Sequence, residues 1–574
     1  MAKYFFSLIY SFQVPNFSTK NILATLLILF PITVFYLVFQ KYAVNIPHWD
    51  DFAIRNTLAK MLETDSFSEK IKLLFSQHNE HRLLLTRLSA WIIYLVQGTL
   101  NLKSLMFIGF LALVGILIIF FQVSKKYNSP LLAFVPVSFI LFNVGLFENT
   151  FWGMASVQNF GVIFFAFLTF YWLVFSIENQ YRHYFYLALF SCFIGVFTSS
   201  NGIIIPLIGC LVLLVQRRKK QLFIWLGGSA IFIFGFFFNF QKNPDNVVKN
   251  NFSDFKTIIK GLFANFGSVL DSSTISPEKH LDLSMALGLF LLIFVCLFGY
   301  QVIFKKYNLV YRSNDLFLLA CLAFISITSV GIVVARISYG IDTLMTSKYK
   351  IYSVLSLIIF YIVAQNSLAE RYKNNFIQLA IFISIVFNSY TYIVDYQSIK
   401  YLNQERITDQ FKQQYSESSF PKQGIMQILQ QPKNAFYDSM IDEMRQVKDS
   451  TLRNLNIETR GENYFLTLQK TGEKIDLTNA ESGIYFILKS DKNIYLYPSH
   501  IKPFGMKAYL DRDFLVNNQL KIDNFASVIS KLYIQSGKYQ IGTVKVENES
   551  KSLIWSTQTI DIQQVKKTRP KQNW

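Results

Sequence analysis

Charge is scarce in this chain. Of its 574 residues only 16% are charged, against roughly 25% in ordinary soluble proteins, while 52% are hydrophobic. Cysteine is scarce as well. Cys192, Cys210, Cys296 and Cys321 all lie inside apolar stretches, which excludes a disulfide framework or a cysteine metal site and leaves them as small core residues. Neither the G-x-G-x-x-G fingerprint nor a G-x-x-x-x-G-K-[ST] loop occurs, so nothing marks a bound nucleotide. The long apolar runs carry no ionisable residue at their centres. Ion-coupled transporters usually need such residues near the bilayer midplane, and their absence argues against a pump.

What the chain has in plenty is aromatic and apolar surface. Phe occurs 58 times and Tyr 31 times, a loading that suits lipid-facing helices and interfacial belts. The net charge of +19 needs no nucleic acid to explain it, because Lys and Arg also hold cytoplasmic loops and meet anionic head groups. Apolar runs near the roughly 20 residues that a bilayer core demands fall at 22–43, 103–123, 130–147, 156–176, 184–199, 201–216, 221–240, 283–304, 315–335, 350–367 and 376–394. The expectation is an all-α polytopic membrane domain of about eleven spans over 22–395. A cytoplasmic segment 1–21 precedes it and an extracytoplasmic domain 396–574 follows. The first run is too long and too late for a cleaved signal peptide. The pair 184–199 and 201–216 is short and is broken by Ser199, Ser200, Asn201 and Gly202, as a partial hairpin would be.

Orientation follows from Lys125, Lys126, Arg182, Arg217, Arg218, Lys219, Lys220, Lys305, Lys306, Arg312, Arg371 and Lys373. All fall in alternate loops and so on one side, which the positive-inside rule makes cytoplasmic. The outer side then owns 44–102, 148–155, 199–202, 241–282 and 336–349. The first of these is longer than a connection needs to be, and its apolar residues (Phe52, Ile54, Leu58, Met61, Leu62, then Ile71, Leu73, Leu74, Phe75, then Leu83, Leu84, Leu85, Leu88) recur at helical spacing. It reads as two or three amphipathic helices on the outer membrane surface.

Chemistry-bearing residues concentrate in that loop. It opens on His48-Trp49-Asp50-Asp51-Phe52 and closes on Gln77-His78-Asn79-Glu80-His81-Arg82, with Arg87 beyond. Adjacent carboxylates repel, so one of Asp50 and Asp51 can have a raised pKa or share a cation, as suits a general base. The alternative is that they only cap and solvate interfacial helices. On a helix His78 and His81 share a face, while Glu80 points elsewhere. A zinc site from these three lacks the HExxH spacing, though a divalent metal ion stays open as a cofactor. Arg82 and Arg87 are planar donors able to hold phosphate. Glu148 and Trp152, at the end of the third run, read as an acid, a sugar contact or an interfacial anchor, and Arg336 with Lys348 as phosphate ligands or snorkelling cations.

The Trp49-Asp50-Asp51 element, the string from Gln77 to Arg82, Glu148-Asn149-Thr150-Phe151-Trp152-Gly153 and Arg336 before Lys348-Tyr349 resemble a bacterial branch of the GT-C membrane glycosyltransferases. The resemblance covers residues 20–395. It implies a polyprenyl-phosphate sugar donor, a glycan or lipid acceptor, and a first-loop carboxylate as base, hence Asp50 or Asp51. Arg82, Arg87, Arg336 and Lys348 would meet the donor phosphate, and His78, Glu80, His81, Glu148 and Trp152 would support substrate. The commoner acidic pair in that class is Asp-Glu, so Asp-Asp leaves the base unassigned. The implied location is the bacterial inner membrane, with the C-terminal domain outside the cytoplasm. Other classes open to the sequence are a flippase for lipid-linked glycans and a polysaccharide polymerase or ligase.

Past about residue 395 the character changes. Residues 403–455 are polar and helical in composition, with Met440, Ile441, Met444 and Val447 at helical spacing. From about 460 the pattern turns strand-like at 485–488, 494–497, 539–546, 553–555 and 560–562, enough for a small sandwich. Such a domain reads as a cap over the site or as a glycan holder. The basic end from Lys566 to Lys571 reads as disordered.

Overall fold

The computed structural model describes residues 18–177, 183–241, 255–272, 277–304, 312–416, 428, 435–446, 452–476, 479–501, 519–547 and 550–563. Arg182, Lys305, Lys306, Val447 and the basic end 566–571 lie outside them.

The first part of the chain is a helix bundle. Eight helices are long and apolar enough to cross a bilayer among the described residues: Thr19–Tyr42, Leu102–Lys126, Gly153–Phe175, Lys219–Phe237, Lys279–Phe304, Ser313–Tyr339, Ser347–Ser367 and Glu370–Tyr415. A ninth results if Leu131–Leu141 and Val144–Thr150, bent by 40° at their junction, count as one span. This is fewer than the eleven expected. The expected runs 184–199 and 201–216 form the helices His183–Val196 and Ser200–Val215, each too short to span by length alone. The break between them begins at Ser199, whose extended backbone ends the helical path.

Small residues let these helices approach closely. A Cβ on Gly109 would stand 1.9 Å from Ser156 Oγ, so only glycine fits where Leu102–Lys126 crosses the π-turn Ser156–Phe160. At one end of the bundle short connections close on one another. Tyr127 donates to Asp315, Gln365 Nε2 donates to Ser129 Oγ at 3.1 Å, and Arg218 Nη1 donates to Leu173 O at 3.0 Å and Ser176 Oγ at 2.8 Å. At the other end the segments 44–102, 148–155, 199–202 and 336–349 meet, as the contacts below show.

The last bundle helix does not stop where its apolar run stops. Glu370–Tyr415 continues for 46 residues, roughly 70 Å at 1.5 Å per residue. The change of composition near 395 therefore falls inside one continuous helix. Past that point its buried face is polar: Lys400 Nζ donates to Asp476 O at 2.7 Å, Asn403 Nδ2 to Tyr42 O at 2.9 Å and Gln404 Nε2 to Ser482 O at 3.0 Å. These bonds tie the C-terminal part to the bundle through one rigid rod.

Among the described residues that part holds two four-stranded antiparallel sheets. One runs, in spatial order, Ser550–Ile562, Gly537–Glu547, Gly483–Lys489, Ile494–Pro498, and the other Leu455–Arg460, Asn463–Asp476, Gln519–Ser530, His500–Ile501. They pack face to face as a sandwich. Tyr464, Leu466 and Leu468, alternating along one strand, meet Ile484, Phe486 and Leu488 from the other sheet in one apolar core. The intervening Tyr485 and Ile487 point the opposite way, onto Ile407 and Phe411 of the long helix and onto Tyr437 and Met444. Burial on both faces explains the unbroken apolar run Ile484–Leu488. Of the polar stretch 403–455, residues to 415 extend the long helix and Ile441–Arg445 makes one further turn.

Candidate functional site

The loop after the first helix folds into three helices, Asp51–Glu63, Phe67–Phe75 and Leu84–Gln97, with Ile54, Leu58, Met61 and Leu74 in the core as their spacing requires. Between the second and third, the helical reading of 77–82 fails. Gln77–His78 and His81–Arg82 are a two-residue antiparallel hairpin, with His78 opposite His81. Asn79 turns it with φ 49°, a left-handed backbone that Asn tolerates better than most residues. Gln77 fastens the hairpin to the end of Lys219–Phe237 by exchanging hydrogen bonds with the Gln241 backbone at 2.6 and 2.9 Å.

The two adjacent aspartates have different surroundings. Asp51 is 1% exposed. Its Oδ1 accepts from Met154 N–H at 2.7 Å and its Oδ2 from His48 N–H at 3.1 Å, so it clamps the loop start to the 153–154 backbone. Burial pushes its carboxyl up to about 8, against the Met154 and Gly153 N–H bonds, which favour the charged form. Asp50 keeps 38% of its side chain exposed. Its Oδ1 stands 3.5 Å from His78 Nε2. Burial pushes this carboxyl up, but the His78 hydrogen bond and the charges of His78 and Lys348 outweigh it, and Asp50 titrates below the usual carboxylate range. The half-exposed Asp50 is thus the carboxylate free to meet a ligand.

His81 is inside the hairpin. Burial holds its imidazole neutral by pushing it down to about 3, and its Nδ1 accepts from Ser200 N–H at 3.1 Å. That bond ties the hairpin to the break between the two short helices. Glu80 sits half-buried on the hairpin turn. Among the described residues no three of His, Cys, Asp or Glu come close enough to share a metal ion, so the zinc reading of His78, Glu80 and His81 has no ligand set there.

Glu148 is a helix cap. Its Oε2 accepts from Lys348 N–H at 2.8 Å in the first turn of Ser347–Ser367, where a negative charge is favoured, and its own N–H donates to Ser347 Oγ at 3.1 Å. Asn149 Nδ2 adds a bond to Lys348 O at 2.8 Å. These contacts hold Lys348 beside Trp152, with Nζ 5.0 Å from the ring centroid. Arg336, exposed at the end of Arg312–Arg336, reaches the Tyr349 hydroxyl and lies near enough to Lys348 and His81 to act on their charges. Asp50, His78, Lys348, Trp152 and Arg336 therefore come together.

Arg82 and Arg87 turn to backbone carbonyls instead. Arg82 is 7% exposed and donates to Phe236 O at 3.0 Å, Phe75 O at 2.7 Å and Phe238 O at 2.5 Å. Arg87 is 4% exposed and donates through Nη1 to Ser76 O and Leu74 O. Both guanidiniums close backbone carbonyls at helix ends.

Three pairings have no signal in the sequence. His48 lies 3.8 Å from Asp409 of the long helix, Asn201 donates to Tyr352 OH at 3.1 Å, and Lys350 pairs with Asp271 at 3.4 Å in a small cavity that Asp395 also lines. Asp409 sits hundreds of residues from His48 and Asp271 79 residues from Lys350, and no local pattern announces such pairs. No protein-family model, curated protein or solved structure matches the chain.

Proposed function

We propose that this chain is a membrane glycosyltransferase of the GT-C kind, working at the outer face of a bacterial inner membrane on a polyprenyl-phosphate sugar. The observation that carries the reading is the half-exposed Asp50 carboxylate, held ionised beside Lys348 and paired with His78 at the end of an apolar helix bundle. A donor whose tail stays in the bilayer must present its phosphate at that depth. Lys348 and Arg336 offer that phosphate an ammonium and a planar guanidinium. The acceptor hydroxyl oxygen bonds to the anomeric carbon, the bond from that carbon to the phosphate oxygen breaks, and the phosphate leaves with the electron pair. The hydroxyl proton passes to Asp50, which is ionised and ready to accept it as the hydroxyl acidifies in the transition state.

Asp51, Glu148, His81, Arg82 and Arg87 then serve as positioning residues. The short basic loops face the cytoplasm and the C-terminal sandwich stands outside it, over a glycan or lipid acceptor. The test is mass analysis of surface glycans in a deletion strain complemented with the wild-type chain or with Asp50→Asn. A glycan lost on deletion, restored by the wild type and not by Asp50→Asn, is the expected result. An unchanged glycan profile across all strains would sink the proposal.

A further inference from the structure

Trp49 is held in a conformation that its chemistry disfavours. Its φ is 46°, in the left-handed region where a bulky side chain is a genuine outlier. Burial offers no compensation, because the residue is 73% exposed. Its indole meets that of Trp152 nearly at a right angle, with centroids 6.1 Å apart and planes at 76°, and the His48 ring stacks on it at 5.4 Å. Trp152 is itself 9% exposed, with Lys348 Nζ 5.0 Å over its ring. The result is a stiff aromatic corner, open on the Trp49 face, whose next residue is Asp50.

We propose that this corner is the sugar platform of the site, taking the C–H face of a pyranose ring on Trp49 and turning its hydroxyl edge to Asp50. The proposal rests on the transferase reading above and names a residue that sets which sugar is held. An aromatic face carries negative charge density and attracts the weakly positive C–H bonds of a sugar, while the flat ring excludes water from them. A tryptophan near a bilayer often serves only as an interfacial anchor. Anchoring needs neither a left-handed backbone nor a neighbouring carboxylate, and a relaxed residue would anchor as well. Backbone strain at an exposed position persists when the fold over-determines it for use.

The experiment uses the full chain in lipid nanodiscs, with methyl β-glucopyranoside, methyl β-galactopyranoside and methyl α-mannopyranoside as sugar probes and decaprenyl phosphate as the lipid probe. Saturation-transfer NMR should show contact from the axial C–H protons of at least one glycoside in the wild type. Trp49→Ala should weaken that binding by roughly three- to tenfold while decaprenyl phosphate still binds. Trp49→Gly removes the indole from a backbone that glycine adopts at no cost, so it should melt higher than Trp49→Ala and lose the sugar signal equally. That variant keeps the test valid if the alanine variant folds poorly. If decaprenyl phosphate binds and no glycoside signal depends on Trp49, the platform is overturned and the transferase reading stands. If neither probe class binds the wild type, both are overturned.

Discussion

At the end of the bundle that carries Lys125, Lys126 and Arg218, connections are short and their polar groups close on one another: Tyr127 on Asp315, Gln365 on Ser129, Arg218 on Leu173 and Ser176. At the opposite end the connections are long, and their polar residues divide into two sets. Asp51, Glu148, His81, Arg82 and Arg87 are engaged by backbone groups of neighbouring segments. Asp50, Trp49 and Arg336 stay open to solvent, and Lys348 is held beside them. Asp and Arg occur in both sets. What separates Asp51 from Asp50 at this end is therefore whether the backbone of a neighbouring segment has claimed the carboxylate.

The largest effect is all or none. A reporter active only outside the cytoplasm should work when fused after Ile562 and fail after Lys219. Signal from both, or from neither, would show that the two ends do not face opposite sides. Next in size is the pair of aspartates. Asp50→Asn keeps the shape and removes the charge, and should cut transfer by roughly a hundredfold or more, the usual worth of a general base, with unchanged membrane abundance. Full activity in that variant would end the assignment of Asp50. Smaller again is Arg336→Lys. An ammonium cannot reproduce a planar fork, so donor use should fall by about ten- to a hundredfold, from the roughly 1.5–3 kcal/mol of a charge-assisted hydrogen bond. A rate curve against donor concentration that overlays the wild type would make Arg336 a snorkelling cation.

The positions of the helices were legible because bilayer thickness writes itself into run length, and the strands 483–489 and 494–498 because apolar residues crowd them. The strands Asn463–Asp476 and Gln519–Ser530 were not, since one face of each is polar and their core residues come only at alternate positions. Helix Glu370–Tyr415 hid its length because its apolar run ends where its buried polar face begins. The division between Asp50 and Asp51 had no local signal at all. It depends on the Met154 N–H, which comes from 103 residues away. The hairpin at 77–82 did leave one trace, the Asn79 that its turn requires.

The smallest predicted effect isolates Asp51, the claimed member of the acidic pair. Its carboxyl is pushed from the usual 3.8 up to about 8 by burial. Between those values the folded chain keeps a proton that the unfolded chain releases. The stability this contributes is fully present below pH 3.8 and is lost as pH rises through about 8. Melting temperature of the purified wild type should therefore fall as pH goes from about 6 to about 9, and the part of that slope due to this group should vanish in Asp51→Asn. The variant should also start lower, because an amide offers one acceptor oxygen where the carboxyl offers two. Either the Met154 or the His48 N–H then loses its partner, at a cost of about 1–3 kcal/mol. Transfer measured at a temperature where the variant is folded should stay within a few-fold of wild type, since both Asp51 oxygens are taken by the Met154 and His48 N–H groups. Parallel melting curves for the two proteins would mean that the N–H donors outweigh burial and that Asp51 is ionised in the fold. A clamp of that kind would still leave Asp50 as the base, but it would place two negative charges side by side and make Lys348 the cation that lets them coexist.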